Sequence, residues 1–499
     1  GVSQDYKLNI SGGSEKNRYF VSGLFLNQTG VTEESKLKRY GFRANLDSDV
    51  TNWLNITTNI EGSVETTHNT AANLMDMANY SPTMELTDEN GVYQRDPYSS
   101  QNASPYGLLK ARDTDAERYN VNGYVDLKFK IIDGLTFSAL GSMALTNGSN
   151  YYFTSTKAWP SAISGMSNSM NRTVTLQNTN NLTYQKQFGD HSLTATGVFE
   201  IYQKEYKTVG VSGNDLLSEK VGYWNVSAVQ SGLSGSTSYT KEQMVSAFGR
   251  VMYNYKNRYY ATATLRADGS SKFINNKWGY FPSGALAWNV SEEEFMKEQD
   301  LFQQLKLRAS VGATGNQAIG TYGTLGLLTL ANYTYGMETL YPGFWLNTYA
   351  SPDLTWEKTY SFDVGVDATL LDQRLSLTID WYRKNTKDLL FQKSIPMFYG
   401  GGSYWDNVGE MYSTGVELSA TAYPVRTKDF EWQTILTASS LKTEVTNLGG
   451  EEFLIPDAGR NNGLIEDVYY MEEGLPISNF HLWEWAGIDD NGANLYRTK

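Results

Sequence analysis

The sequence contains no cysteine, which excludes disulfide bonds, thiolate metal sites and cysteine nucleophiles. Histidine is scarce as well. Only His68, His191 and His481 are present, and no two of them stand at a spacing typical of zinc ligands. No run of about 18 apolar residues occurs, so a helical membrane span is not expected. We therefore expect neither a bound metal ion nor a cofactor.

Positive charge is also in short supply. Lys and Arg number 41 against 54 Asp and Glu, which gives a net charge of −13 and argues against a nucleic-acid partner, because little would neutralise phosphates. The first residues have neither a charged nor an apolar leader region, and the last residues form no obvious closing strand. We expect the chain to be incomplete at both ends.

Aromatic residues, in contrast, are abundant, with 35 Tyr, 20 Phe and 12 Trp. The excess of Tyr over Phe suits a membrane–water interface or a surface that stacks on sugars. A soluble β-protein rich in tyrosine is the alternative. The polar average composition does not decide between them, because the strands of a membrane β-barrel alternate apolar and polar residues.

The alternation of apolar and polar residues is clearest in 361–370 and 375–383, which are separated by a short break. Two strands of period 2 with a tight connection predict an antiparallel hairpin. Similar patterns occur at 124–131 and 416–422. The charged residues that alternate with the apolar ones need a polar environment. That environment is bulk water in a soluble sandwich and the lumen in a membrane barrel.

The lengths of the links favour the barrel. We predict sixteen strands, at 4–11, 17–27, 38–47, 53–64, 120–131, 135–146, 173–187, 191–204, 244–255, 259–267, 280–290, 304–313, 360–370, 374–384, 413–422 and 430–441. Short links alternate with long ones at 28–37, 65–119, 147–172, 205–243, 268–279, 314–359 and 385–412. The link 291–303 is the exception on the short side, and its Ser291-Glu292-Glu293-Glu294 predicts a capped helical turn. Such alternation is typical of an up-and-down barrel and not of a Greek-key sandwich.

Eight stretches, each weak alone, stand in the order found in one known family. They are Leu265 to Phe273, Trp278 to Ser283, Trp288 to Met296, Leu305 to Gln317, Ser351 to Thr359, Lys387 to Leu390, Asn407 to Met411 and Gly415 to Leu418. In addition, Leu8 to Lys16 with Tyr19 to Ser22 resembles an early barrel strand of the same family. Over nearly its whole length the chain resembles the barrel of SusC/RagA-like TonB-dependent transporters of Bacteroidetes.

The resemblance implies an all-β fold, a transmembrane up-and-down antiparallel β-barrel that forms part of a 22-stranded barrel, with long extracellular loops and short periplasmic turns. It places residues 1–499 in the barrel domain and leaves the N-terminal plug and the last strands outside this chain. It further implies outer-membrane import of glycan fragments or peptides, energised by TonB through the plug. A SusD-like lipoprotein lid, surrounding lipids and a dimer of transporter–lid pairs are its expected partners.

Aromatic residues near carboxylates in the long links are the candidate cargo-binding residues, because flat rings beside hydrogen-bonding groups suit sugar recognition. They are Asp96, Tyr98, Trp159, Tyr341, Trp345, Tyr349, Tyr404, Trp405 and Asp406, with Tyr106 beside the first two. Packing between loops or contact with the lid are alternatives for each of them. Tyr253, Tyr255, Tyr259 and Tyr260 flank a short turn and are predicted to join the periplasmic aromatic girdle.

Other motifs do not nominate a reaction. The runs Asp88–Gly91 and Asp489–Gly492 suit turns better than calcium loops, and Gly400–Gly402 lacks the features of a phosphate loop. No nucleophile elbow is present and no catalytic grouping can be defended, so we expect no enzymatic activity. The rivals to the importer are a passive porin, which would have no plug domain, and a soluble carbohydrate-binding β-protein, which would fold without detergent.

Overall fold

The fold is described from a computed structural model, which describes residues 1–69, 77–78, 80–96, 103–334, 340–455, 469–477, 479–480 and 482–497. The chain divides into two compact units. Unit 1 comprises 1–182 and 199–245, and unit 2 comprises 183–198 and 246–499. Among the described residues, no helix is both long enough and apolar enough to cross a lipid bilayer.

Unit 1 is built from long strands and one short helix. Its elements are β1 (Ser3–Gly13), β2 (Asn17–Thr29), β3 (Lys36–Asp49), β4 (Leu54–Asn69), α1 (Pro105–Ala111), β5 (Arg112–Ile132) and β6 (Leu135–Thr154). It also contains most of β7 (Gly165–Phe188), β8 (His191–Leu216) and β9 (Val229–Tyr255). Helix α1 begins with Pro105, and Ser104 caps it by accepting a hydrogen bond from the Gly107 N–H.

Unit 2 continues with β10 (Tyr259–Ser270), β11 (Trp278–Asn289), β12 (Phe302–Asn316), β13 (Leu327–Thr334), β14 (Leu340–Thr348), β15 (Glu357–Leu370) and β16 (Leu375–Lys387). There follow β17 (Leu390–Ser394), β18 (Ser403–Asn407), β19 (Glu410–Arg426), β20 (Glu431–Asn447) and the short β21 (Tyr469–Tyr470), β22 (Asn479–Phe480), β23 (Trp485–Ile488) and β24 (Asn494–Tyr496).

Sixteen strands form one sheet in chain order, β1 to β12 followed by β15, β16, β19 and β20. The described pairings within it are antiparallel, such as Phe362 with Arg383 in the hairpin β15–β16. The tight turn before β10 places Lys256 and Asn257 at φ 54° each. Two successive left-handed residues are typical of a type I′ turn, whose twist matches a hairpin.

Each strand has an apolar face and a polar face. On β5, Val121 and Val125 point to the apolar face, while Asn122 and Asp126 point to the polar face and bind Glu61 and Ser138 on neighbouring strands. The apolar side chains remain exposed along strand after strand, as at Leu286 and Val311. An extended exposed apolar surface of this kind requires a non-aqueous partner.

Aromatic rings bound the apolar face of β4 to β6. Trp53, Phe129 and Phe137 form a stacked row at the short-turn end. Tyr119 lies ten residues further along β5, which at about 3.3 Å per residue and the tilt of barrel strands corresponds to a band about 25 Å tall. This is the height expected for the apolar band of a membrane barrel.

In unit 2 a second row of rings joins Phe188, His191, Tyr255, Tyr259 and Trp288 at the short-turn end of the sheet. The girdle prediction therefore agrees with the positions of Tyr255 and Tyr259, and Tyr253 holds His191 at 2.6 Å. For Tyr260 the prediction was wrong. Its ring lies on the polar face beneath the Lys306 amino group, 5.2 Å away, because neighbouring residues on a strand point to opposite faces.

All sixteen predicted strands are present, in order, but most extend further into the predicted long links. The link 147–172 shrinks to 155–164 and 205–243 to 217–228, because β6, β7, β8 and β9 continue past their apolar segments. Beyond the apolar band both faces of a strand contact water. The sequence of these outer segments therefore does not alternate between apolar and polar residues, and alternation cannot identify them as strand. The helical turn expected at 291–296 is present as two short 3-10 helices, Val290–Glu292 and Glu294–Met296.

Candidate functional site

Two of the predicted loops of unit 2 form a sheet of their own. Strands β13, β14, β18 and β17 neighbour one another in that order. The hairpin β13–β14 comes from the link 314–359 and the hairpin β17–β18 from the link 385–412. They meet where the Tyr349 N–H donates to the Ser403 carbonyl at 2.8 Å. The loop sheet, as we call these four strands, thus carries or adjoins Tyr341, Trp345, Tyr349, Tyr404, Trp405 and Asp406.

Trp345 and Tyr349 are half-buried against the glycine run 400–402. A β-carbon at Gly401 would lie 3.4 Å from the Trp345 ring, and one at Gly400 would lie 3.2 Å from the Tyr349 hydroxyl. All three glycines have positive φ, a conformation that side chains disfavour. The run is therefore an ordered turn packed on two aromatic rings. Both rings have a packing role, while Tyr341 on the same hairpin is exposed.

On the other hairpin, Asp406 and Glu451 flank the amino group of Lys393 at 3.4 and 3.0 Å. Burial lowers the pKa of Lys393, but the hydrogen bond to Glu451 and the nearby charges of Glu451 and Asp406 together outweigh burial and raise the pKa. Tyr404 lies opposite Lys393 in the ladder. Trp405 packs against Gly323, where a β-carbon would lie 3.2 Å from the indole nitrogen. This group keeps its charges paired and holds the hairpin in place.

Asn407, which ends β18, was not nominated from the sequence as a key residue. Its side-chain nitrogen donates to the carbonyls of Thr355 at 3.0 Å and Asp388 at 2.8 Å, and its oxygen accepts from the Thr355 N–H at 2.8 Å. One side chain thus joins three segments of the loops. In the sequence, Asn407 begins one of the stretches that carry the family resemblance. That resemblance indicates the family of the chain but does not indicate what the Asn407 side chain binds.

Behind these hairpins lies a small buried core of Val408, Val445, Leu448, Leu454 and Met471. Phe391 of β17 and Ile477 pack against it. Since both strand faces elsewhere are largely exposed, this core is a local anchor for the outer segments of unit 2. The loop sheet is therefore a preformed element and not a set of free loops.

In unit 1, Trp159 lies among cations. The guanidinium carbons of Arg95 and Arg112 stand 5.5 and 5.0 Å from its ring centroid. Asp96, 4% exposed, accepts from the Ser81 N–H at 3.2 Å. Tyr98 lies outside the described residues. Tyr106, the second residue of α1, meets the Tyr93 ring edge-on with the two ring centroids 6.1 Å apart. Of the predicted residues here, Asp96 and Trp159 serve to connect loops.

Glu219 fastens two loops of unit 1 together. Its carboxylate accepts from the Ser155 hydroxyl at 2.6 Å and from the Thr156 N–H and hydroxyl at 2.7 and 2.6 Å. Burial would raise the pKa of this carboxyl, but the bonds from Ser155 and Thr156 outweigh burial and hold the pKa below its usual value. The carboxylate of Glu219 is therefore stabilised as an anion by three hydrogen bonds.

His68, Asp115 and Tyr223 form a second polar group in unit 1. The His68 Nδ1 lies 2.7 Å from one Asp115 oxygen, and the Tyr223 hydroxyl donates to the other at 2.5 Å. Burial, followed by the bond to Asp115, raises the pKa of the Tyr223 hydroxyl. His68 thus belongs to a hydrogen-bonded group centred on Asp115. His481 lies outside the described residues.

The polar face of β2 to β5 contains a charged recess of ≈ 310 Å³. Arg39, Arg43, Arg118, Glu61 and Glu65 line it, with Asn120 and Asn122. Arg39 forms an ion pair with Glu65 across adjacent strands. Mixed charges and amides at one place on a polar wall can bind a polar solute by several directed hydrogen bonds. Alternation placed these residues on the polar parity, but the sequence alone could not show that they gather in one recess.

The runs weighed as calcium loops are turns. The Asp88 carboxylate accepts from the N–H groups of Asn90 and Val92 at 2.9 and 2.8 Å. Asp489 does the same for Asn491 and Ala493 at 2.9 and 2.8 Å. In the described part of the chain, no group of three or more His, Asp or Glu residues is arranged to hold a metal ion.

Comparisons with known proteins agree with this architecture. Residues 62–463 match the family described as "TonB dependent receptor-like, beta-barrel". The chain is 30% identical to TonB-dependent receptor P3 of Formosa agariphila over 99% of this chain and 50% of that protein. It is 28% identical to TonB-dependent receptor SusC of Bacteroides thetaiotaomicron over 96% of this chain and 49% of that protein.

Among solved structures, the chain is similar to that of the RagAB peptide transporter, with a TM-score of 0.82 and 26% identity over 99% of this chain and 56% of that one. It spans about half the length of the curated relatives it matches. The apolar face of the strands is accordingly the lipid-facing side and the polar face lines the lumen. The chain belongs to the TonB-dependent receptor β-barrel family and is of the SusC/RagA-like type.

Proposed function

We propose that the chain forms the wall and outer loops of an energised outer-membrane importer for glycan fragments or peptides. The observation that supports it most is the likeness to SusC and to the RagAB peptide transporter across almost the whole chain. The family name implies coupling to TonB, which we place in a plug region outside residues 1–499. Import of this kind requires no chemical change of the cargo by this chain, and we therefore propose no enzymatic activity for it.

The lumenal recess of unit 1 is the proposed polar contact for cargo. Arg43 and Arg118 offer cationic donors, and Glu61 offers an acceptor within the same recess. Donors and acceptors of both signs suit peptide termini and carbonyls as well as sugar hydroxyls. In the loop sheet, Tyr341, whose ring is exposed, is the proposed aromatic contact for cargo.

The hairpin β13–β14 is the proposed contact for a SusD-like lipoprotein lid. On one face of this hairpin Leu330 and Phe344 lie opposite each other and are 74% and 65% exposed. Leu328 on the same face is exposed as well. An apolar patch on an outer loop, held by a preformed sheet, fits a protein partner better than bulk water. We further propose that two such transporter–lid pairs associate as a dimer.

Uptake by cells tests this function. Cells producing the complete transporter should take up labelled oligosaccharide or peptide only when TonB is present. Arg43→Gln and Arg118→Gln should each lower that uptake several-fold, while Arg426→Gln, an exposed charge at a short turn, should leave it unchanged. Uptake that persists at full rate without TonB would favour the passive porin instead. Co-purification of a lipoprotein that is lost in Leu330→Asp would support the lid contact.

A further inference from the structure

An aromatic platform stands on the lipid-facing side of the wall, beyond the apolar band. His68, Asp115 and Tyr151 lie opposite one another on β4, β5 and β6. They share the parity of Val121 and Tyr119, so they point away from the lumen. Asp115 is four residues past Tyr119, or roughly 13 Å along the strand. The row therefore stands at the level of the outer-leaflet head groups.

Three rings pack together at this row. Tyr151 and Tyr223 stack with centroids 5.3 Å apart, and Trp224 lies 5.4 Å from Tyr151 and 4.9 Å from Tyr223. Tyr223 is fixed by its bond to Asp115 and by packing on the buried cluster of Phe153, Met166 and Leu216. Trp224 is nevertheless 73% exposed. Tyr151 and Tyr223 thus hold the Trp224 ring in place while most of its surface remains exposed.

Below the platform, on the same strands, the lipid-facing side contains an apolar groove of ≈ 710 Å³. Its walls include Ile60, Val121, Met143, Leu176 and Ile201, and its floor lies at Gly123 and Gly141. A β-carbon at Gly141 would meet no atom within 4 Å, so the absence of side chains there leaves real space. The groove lies between Tyr119 and the middle of the band, in the outer half of the bilayer.

We propose that this side of the wall holds one glycolipid of the outer leaflet, with an acyl chain in the groove and a sugar ring stacked on Trp224. The groove is continuous with the lipid-facing surface, which gives the acyl chain its path. The exposed Trp beside carboxylate and phenol groups suits a sugar, whose ring stacks while its hydroxyls donate to acceptors. Exposed Lys36 and Lys38, on the same face of β3, can neutralise a phosphate on that sugar.

A lipid-retention measurement on the complete transporter tests the site. The protein is placed in nanodiscs of phosphatidylethanolamine and titrated with glycolipid purified from the outer membrane of the producing cells, and bound lipid is counted by native mass spectrometry. Trp224→Ala removes the exposed ring, and Gly141→Leu places a side chain in the groove at a position where its β-carbon meets no atom within 4 Å. Trp278→Ala, an exposed ring elsewhere on the wall, and Gly23→Leu, a glycine with equal space outside the groove, are the matched controls.

We expect one tightly retained glycolipid per chain, with affinity at least five-fold lower in Trp224→Ala and in Gly141→Leu and unchanged in both controls. Equal retention in all five proteins would overturn the proposal, as would a loss in Gly141→Leu alone, since that would leave the sugar contact without a role. Cargo uptake is scored separately in the same variants. The site concerns lipid and not cargo, so failure here leaves the import proposal intact.

Discussion

The Asn407 side chain binds both backbone groups of Thr355, donating to its carbonyl at 3.0 Å and accepting from its N–H at 2.8 Å. A residue on a neighbouring strand would form the same pair of hydrogen bonds with its backbone N–H and carbonyl, whereas here a single side-chain amide forms both. Because the same nitrogen also reaches the Asp388 carbonyl, Asn407 joins the end of β18 to the entries of β15 and β17.

Asn407→Ala is expected to loosen the loop sheet. The variant would lose three hydrogen bonds worth about 1 kcal/mol each. The free energy required to open the loop sheet locally should therefore fall by about 3 kcal/mol. Hydrogen exchange of 340–348 and 403–407 should then accelerate while β15 and β16 stay protected. Asn332→Ala, an exposed amide of the same sheet, is the control. Unchanged exchange at 403–407 would contradict the role given to Asn407.

Trp159→Ala is expected to release the outer loops of unit 1. The ring interacts with two guanidinium groups, each worth about 0.5–1 kcal/mol by cation–π attraction, in addition to its packing. Limited proteolysis should cut near residues 90–96 and 155–162 faster, whereas Trp159→Phe should preserve most of the protection. If instead Trp159→Ala lowers cargo binding and leaves proteolysis unchanged, the residue is a cargo contact.

The wall could be predicted from the sequence because its determinants are local. Alternation at Phe362 to Leu370 and at Leu375 to Arg383 gives strand, face and partner together. The loop sheet could not be predicted, since β14 and β18 are far apart in the chain and pair through one residue each, Thr348 and Ser403. Tyr349 was nominated for its chemistry, whereas its position is set by Gly400, which no composition argument would connect to it.

Acidification is expected to open the loop pair that Glu219 joins. The folded-state pKa of this carboxyl is lowered, so its contribution to stability is complete above the ordinary glutamate pKa and is lost as the pH falls through the lower folded value. Hydrogen exchange of 155–158 and 217–222, corrected for the intrinsic rate, should rise below about pH 4.5. In Glu219→Gln the same segments should exchange faster at neutral pH and lose this pH dependence. An equally steep rise in Glu219→Gln would point to a different carboxyl.

Gly365→Ala is expected to break an ion group on the lumenal face. Arg308 pairs with Asp367 on the adjacent strand at 2.7 Å and with Asp380, one strand further, at 2.9 Å. Gly365 lies between Arg308 and Asp380 in the ladder, and a β-carbon there would overlap the Asp380 carboxylate. The midpoint of heat-induced unfolding, read as a gel shift, should fall by several degrees. Gly284→Ala, where the nearest atom is 3.7 Å away, should leave the midpoint unchanged. A midpoint unchanged in Gly365→Ala would show that Arg308 need not span the intervening strand.

The loop sheet has a consequence for how unit 2 folds. Its two hairpins are separated in the chain by β15 and β16, so the antiparallel pairing of β15 with β16 shortens the loop that the contact between β14 and β18 must close. Asn407 adds to this coupling because its partner Thr355 lies just before β15. We therefore expect the loop sheet to become stable only once the β15–β16 hairpin has formed, so that its protection from hydrogen exchange reports on the wall beside it.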